Sequence, residues 1–247
     1  MKNKFFFIAS MVGMLSGVAS GATDGAEMEY GRGWNPYVTL RGGWLFGGDV
    51  KGDFTWDVLP GNSKSSKENI KNAWSGSGEF GVSCFDERIS VGLELGYFTG
   101  KAAFEFDDEL IFPAEFGNTF GACNVTLRRD VGERTFLYGG IGAGIARSTL
   151  KHPGYLKGHD MGGGHGAPEL YFNKKSEWRF LGQAFAGIGV YLNDSWSLSA
   201  GYRLRYVPGK FNSSWTKDPT YAQSAEIKST IKQNIVHAAE IGLTYSF

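Results

Sequence analysis

Arg41, Glu79, Glu94, Arg179, Arg203, Arg205 and Glu240 are the residues whose type and spacing most invite a chemical reading. Each lies in a stretch where polar and apolar residues alternate, and each falls on the polar side. Successive side chains of a β-strand point to opposite faces. These acids and bases therefore belong on one face of a sheet, where they can meet as an interior salt-bridge network. Such a network either plugs and stiffens an enclosed interior or lines a narrow path for small solutes or ions.

Other groups carry weaker signals. His152, His159, Asp160 and His165 lie in a Gly-rich tract. Histidine is a common metal ligand, but the spacing matches no defined motif, and a Gly-rich loop must lose entropy to bind. No metal site and no cofactor are assigned. Cys84 and Cys123 are the two cysteines. They fall on strands that are not neighbours, which favours free thiols. His237 could serve as a base with Ser148 or Ser199 as nucleophile, but no motif links them. No catalytic residue is assigned, and the expectation is a protein that is not an enzyme.

The elements that hold these residues follow from the same period of two. Ile235, His237, Ala239, Ile241, Leu243, Tyr245 and Phe247 share one face, opposite Val236, Ala238, Glu240, Gly242, Thr244 and Ser246. Seven further segments alternate: 34–47, 72–85, 89–101, 116–128, 136–148, 178–192 and 196–206. The segment 116–128 is the weakest. Short turns fall at Asp86-Glu87-Arg88, at 129–135 and at Asn193-Asp194-Ser195. Long polar stretches fall at about 48–71, 102–115, 149–177 and 207–233. Three short and four long connections suit eight antiparallel strands with both termini on the short-turn side. The expected fold is all-β: a single antiparallel up-and-down barrel, eight strands being preferred. The segment 50–58 also alternates. It either extends the first hairpin above the barrel or raises the count to ten.

The N-terminus reads as a cleaved signal peptide over residues 1–22. Lys2 and Lys4 precede the apolar run from Phe5 to Val18, and Ala19-Ser20-Gly21-Ala22 supplies small residues for cleavage. Residues 23–247 then form one domain. Removing two lysines and no acid leaves 23 bases against 25 acids, a formal charge of −2. That balance gives no support to a nucleic-acid partner. The 37 glycines and 15% aromatic content fit a sheet that bends and packs closely.

Charge decides between a soluble and a membrane barrel. The polar faces carry Arg41, Glu79, Glu94, Arg128, Arg179, Arg203, Arg205 and Glu240. A dry soluble core could not hold so many ions, because each costs several kcal/mol unless well paired. A membrane barrel reverses the faces, with ions paired in the lumen and apolar residues on lipid. A Lys or Arg facing the bilayer midplane costs about 2–4 kcal/mol. The apolar faces carry charge or His only at Lys101, Arg147 and His237, near loop-side ends. Trp34, Tyr97, Trp178, Trp196, Tyr202, Tyr206, Tyr245 and Phe247 have the composition of interfacial girdles.

The segment Ile241-Gly242-Leu243-Thr244-Tyr245-Ser246-Phe247 resembles the terminal recognition strand of outer-membrane proteins. That likeness implies that Ile241, Leu243, Tyr245 and Phe247 form the assembly signal read by the barrel-assembly machinery. The alternating chain as a whole resembles the small OmpA/OmpX/opacity-type barrels, without the periplasmic peptidoglycan-binding domain of full OmpA-type proteins. The resemblance implies a monomer in the bacterial outer membrane, in contact with outer-membrane lipid and lipopolysaccharide, with its termini in the periplasm. It implies a structural or surface-interaction role through four external loops: envelope integrity, adhesion or contact with a ligand that remains unnamed. A narrow pore and a lipid A-modifying enzyme are the alternatives.

Overall fold

The computed structural model describes residues 34–47, 49–56, 63–69, 71–84, 88–106, 110–151, 175–216, 226–233 and 235–247. The proposed signal peptide and the tract holding His152, His159, Asp160 and His165 lie outside them. The fold below is that of Trp34–Phe247.

Its strands are β1 (Asn35–Phe46), β2 (Asp49–Trp56), β3 (Ser63–Asn69), β4 (Lys71–Cys84), β5 (Ile89–Phe106), β6 (Leu110–Asp130), β7 (Thr135–Lys151), β8 (Lys175–Tyr191), β9 (Trp196–Tyr206), β10 (Lys210–Thr216), β11 (Glu226–Gln233) and β12 (Ile235–Ser246). Eight of them close into a barrel in the order β1-β12-β9-β8-β7-β6-β5-β4. Every neighbouring pair is antiparallel. The other four make a separate sheet, β10-β11-β2-β3. The alternation over residues 50–58 thus belongs largely to β2, and the barrel has eight strands rather than ten.

Two of the long stretches read as loops carry strands. β2 and β3 occupy much of 48–71, and β10 and β11 much of 207–233. β5 and β6 likewise run on through most of 102–115. In β3 and β11 polar sequence hid the strand, because alternation among Lys, Ser and Thr carries little hydrophobic contrast.

The pairing fixes the stagger. From Pro36 the ladder passes through Val82, Val91, Val125, Ile141, Ala184, Leu204 and His237 and returns to β1 at Phe46. One circuit therefore climbs ten residues along β1. Eight strands with that stagger tilt by about 40° from the axis. The outward row of β9, from Trp196 to Tyr206, then spans roughly 25 Å of height, the height of a lipid-facing band.

Turn chemistry closes the short-turn rim. The Asn193 Oδ1 accepts from the backbone N–H of Ser195 at 3.0 Å and of Trp196 at 2.8 Å, a side chain standing in for a backbone turn. The Phe247 N–H donates to the Pro36 carbonyl at 3.0 Å, which ties the last strand to the first.

Glycine is required where strands crowd the lumen. A methyl at Gly144 would collide with the Gly121 carbonyl oxygen and stand 2.6 Å from Ala122 Cα. Gly42, on the outer wall, meets nothing within 4 Å. Gly144→Ala is expected to lower stability by about 1–3 kcal/mol, as overpacking does, whereas Gly42→Ala leaves it unchanged. Urea unfolding in lipid vesicles, followed by tryptophan fluorescence, measures both.

Candidate functional site

The inner and outer faces sort as the alternation requires. Leu40, Leu93, Leu95, Ile141, Ile145 and Ile241 are exposed on the wall. Trp34, Trp196 and Phe247 are exposed towards the short-turn rim, and Trp44, Phe46, Trp74, Trp178 and Tyr206 towards the loop side. Ile241, Leu243 and Phe247 face outward, and Tyr245 sits half-buried with its ring 5.0 Å from Trp196 and 4.8 Å from Phe247.

Six of the seven ions read from the sequence meet inside. Glu94, from β5, is the centre. Its carboxylate accepts from Arg203 Nη1 at 2.8 Å, Ser77 Oγ at 2.6 Å, Asn124 Nδ2 at 2.8 Å and Gln183 Nε2 at 2.9 Å. Arg203 also donates from Nε to Glu240 at 2.7 Å, and Arg205 Nη2 reaches the other Glu240 oxygen at 2.6 Å. Arg41 Nη1 bonds Glu79 at 2.9 Å and lies 4.0 Å from Glu94. Tyr37 and Asn124 each donate to Glu79 at 2.6 Å. Three guanidinium groups thus face three carboxylates, and six strands besides β5 supply the network's other members.

Burial makes this arrangement demanding. Glu94 and Arg205 are 0% exposed. Charges so placed persist only with their hydrogen bonds filled. The carboxylates meet that condition. Arg205 does not meet it in full, because its Nε and Nη1 have no hydrogen-bond partner. Its guanidinium lies 5.3 Å from the Phe120 ring and 5.5 Å from Phe98, within the range of cation–π attraction.

Arg179 departs from the expected network. It is buried on β8, but its ion pair is with Glu177 at 3.0 Å and its guanidinium lies 3.7 Å from the Phe211 ring. It stands four residues towards the loops from Gln183, the β8 residue that reaches Glu94. A shared face was legible in the sequence; height along the axis was not.

The loop-side half of the lumen holds an apolar cluster beside buried Asn118, Ser148 and Arg179, and the sequence reading missed that cluster. Leu45, Phe98, Phe116, Leu150, Leu181 and Val236 are buried there in one cluster. Phe98 is 1% exposed and Leu181 0%. Phe98 and Phe120 pack with ring centres 5.9 Å apart. A signal was present: the segment 116–128 alternated poorly because Phe116, Phe120 and Ala122 put apolar residues on the inner face.

His237 lies on the opposite side of the wall from the serines considered with it. It faces outward, hydrogen-bonded through Nδ1 to the Tyr202 hydroxyl and stacked on Phe46. Ser148 is buried and donates to Asn118 at 2.5 Å, and Ser199 donates to the Gly242 carbonyl at 3.3 Å. Cys84 and Cys123 are free thiols. Among the described residues no cluster of His, Cys, Asp and Glu is arranged to hold a metal.

The centre of the network gives a direct expectation. Glu94→Ala leaves buried guanidinium charge uncompensated and should cost about 3–5 kcal/mol. Lys101→Gln removes a surface partner of Glu115 and should cost at most about 1 kcal/mol. The same urea titration in vesicles compares them.

No protein-family model matches the sequence, and no curated protein matches it. Solved structures do match in shape. OprG, an outer membrane protein from Pseudomonas aeruginosa, aligns over 88% of this chain and 98% of its own, at 13% identity and a TM-score of 0.51. Neisserial surface protein A aligns over 86% of this chain and 97% of its own, at 13% identity and 0.45. The outer membrane protease OmpT from Escherichia coli aligns over 86% and 97%, at 11% identity and 0.45. With its closed eight-stranded antiparallel wall, the chain has the fold of the small outer-membrane β-barrels.

Proposed function

We propose that this protein is a bacterial outer-membrane barrel that is sealed along its axis and acts through the surface it presents on the loop side. Its termini lie in the periplasm. It works as a structural or surface-interaction element and catalyses no reaction.

The observation that carries the reading is the filled lumen. A water-sized sphere does not reach Glu94, Arg205 or Leu181. An ion crossing the barrel would have to break the buried network and then pass an apolar layer. Both steps are expensive. The fit is what eight strands allow, since a barrel of that size encloses side chains and little else. The narrow-pore alternative loses support on the same observation. The lipid A-modifying alternative loses its simplest site, because His237 faces outward while Ser148 is buried within. What remains available for contact is the loop-side extension, where four strands pair in their own sheet. Loops and extensions on a rigid scaffold are common places for binding.

Two measurements test this. Purified protein in planar bilayers should give no stable conductance of porin size; such conductance would overturn the sealed-barrel reading. Cells with and without the gene should differ in detergent sensitivity or adhesion while their lipid A remains identical by mass spectrometry. An altered lipid A would replace the surface role with an enzymatic one.

A further inference from the structure

The sheet β10-β11-β2-β3 has two unlike faces. Phe211 on β10 is buried against the lumenal Arg179, and the register places Ile231 and Gly52 beside it. The face opposite Phe211 carries a line of lysines. Lys210 pairs directly with Lys232, Lys232 with Lys51, and Lys51 with Lys67. Like charges directly opposite one another in a sheet are destabilising. One described carboxylate answers this line: Asp53 lies 3.3 Å from Lys232. Lys51 and Lys210 are exposed. On the neighbouring wall Lys101, which the register sets opposite Lys71, has a carboxylate partner in Glu115 at 2.9 Å.

Height gives the line its meaning. Lys51 follows the exposed Phe46 by five residues, Lys210 follows Tyr206 by four, and Lys232 precedes Ile235 by three. Three to five residues of tilted strand rise roughly 8–12 Å. Phe46, Tyr206 and Ile235 are lipid-facing, so the lysines stand where hydrocarbon gives way to headgroups.

We infer that Lys51, Lys210 and Lys232 form a binding surface for the phosphorylated headgroup of a lipid in the surrounding leaflet. The inference rests on the outer-membrane reading above. Row spacing suits a headgroup with more than one phosphate, because strands lie about 4.8 Å apart and each anion can bridge neighbouring ammonium groups. The bound phosphates supply counter-charge to the row and fix this wall of the barrel to its lipid neighbours. A soluble anion would gain the same charge contacts but would lack the acyl chains seated on Phe46, Tyr206 and Ile235 below.

The test uses the folded protein in neutral detergent micelles, with native mass spectrometry as readout. The probes are bisphosphorylated lipid A, the same lipid after phosphatase treatment, and inorganic phosphate. Bisphosphorylated lipid A should be retained at least tenfold better than its dephosphorylated form, and millimolar inorganic phosphate should not displace it. The combined Lys51→Gln, Lys210→Gln and Lys232→Gln variant should lose that preference, the three Arg replacements should keep it, and Lys101→Gln should have no effect. Each single Gln variant should lose about fivefold, which preserves the test if the triple variant fails to fold. Retention of the preference by the Gln variants, equal binding of the dephosphorylated lipid, or displacement by inorganic phosphate would each overturn the inference. Insertion into vesicles as a protease-resistant barrel, scored separately, shows whether the membrane reading stands when the lipid preference does not.

Discussion

The carboxylate of Glu94, held by Arg203 and three neutral donors in a space closed to water, is the interaction on which the rest of the barrel depends. A buried ion tolerates no slack. Ser77, Asn124, Gln183 and Arg203 come from four different strands, and each must stop at one height for its donor to meet the same two oxygens. The network therefore couples the register of β4, β6, β8 and β9 to that of β5. Backbone ladders alone fix each strand only to its neighbours. The ions fix strands that never touch.

The closed interior also explains the glycine content. Long side chains from one part of the wall occupy the lumen, so other parts must offer none. Gly144 passes close to β6, and Gly96 lies within what would be 2.7 Å of Phe120 and Ser77 if it carried a methyl. Large inward residues and bare backbone are two sides of one volume constraint. The wall facing lipid has no such limit, and its residues follow hydrophobicity alone.

Fold class was legible because membrane strands must contrast two solvents. Leu93 and Leu95 against Glu94, or Leu198 against Ser197 and Ser199, announce both strand and facing. The lumenal ions were legible for the same reason: an Arg on the polar side of an alternating strand belongs inside, away from lipid. Tyr37 was not found, because a tyrosine on the inner face looks like any rim aromatic until its hydroxyl is seen on Glu79. The apolar upper lumen was missed because the contrast vanishes where both solvents are oily, as at Phe116 and Phe120. β3 and β11 were missed for the mirror-image reason, since runs of Ser, Thr and Lys leave few apolar residues to mark a face. Arg179 shows a third limit. Periodicity assigns a face, whereas partnership depends on stagger, and the ten-residue climb of the ladder emerges only from the pairing.

The order of layers within the lumen, ions towards the turn rim and hydrocarbon above them, has a consequence at the scale of the envelope. On the proposed sealing, ions would be stopped by the apolar cluster and apolar solutes by the charged network, so neither would find a continuous path. Copies of a barrel sealed as proposed would crowd a membrane and leave its permeability that of the lipid between them.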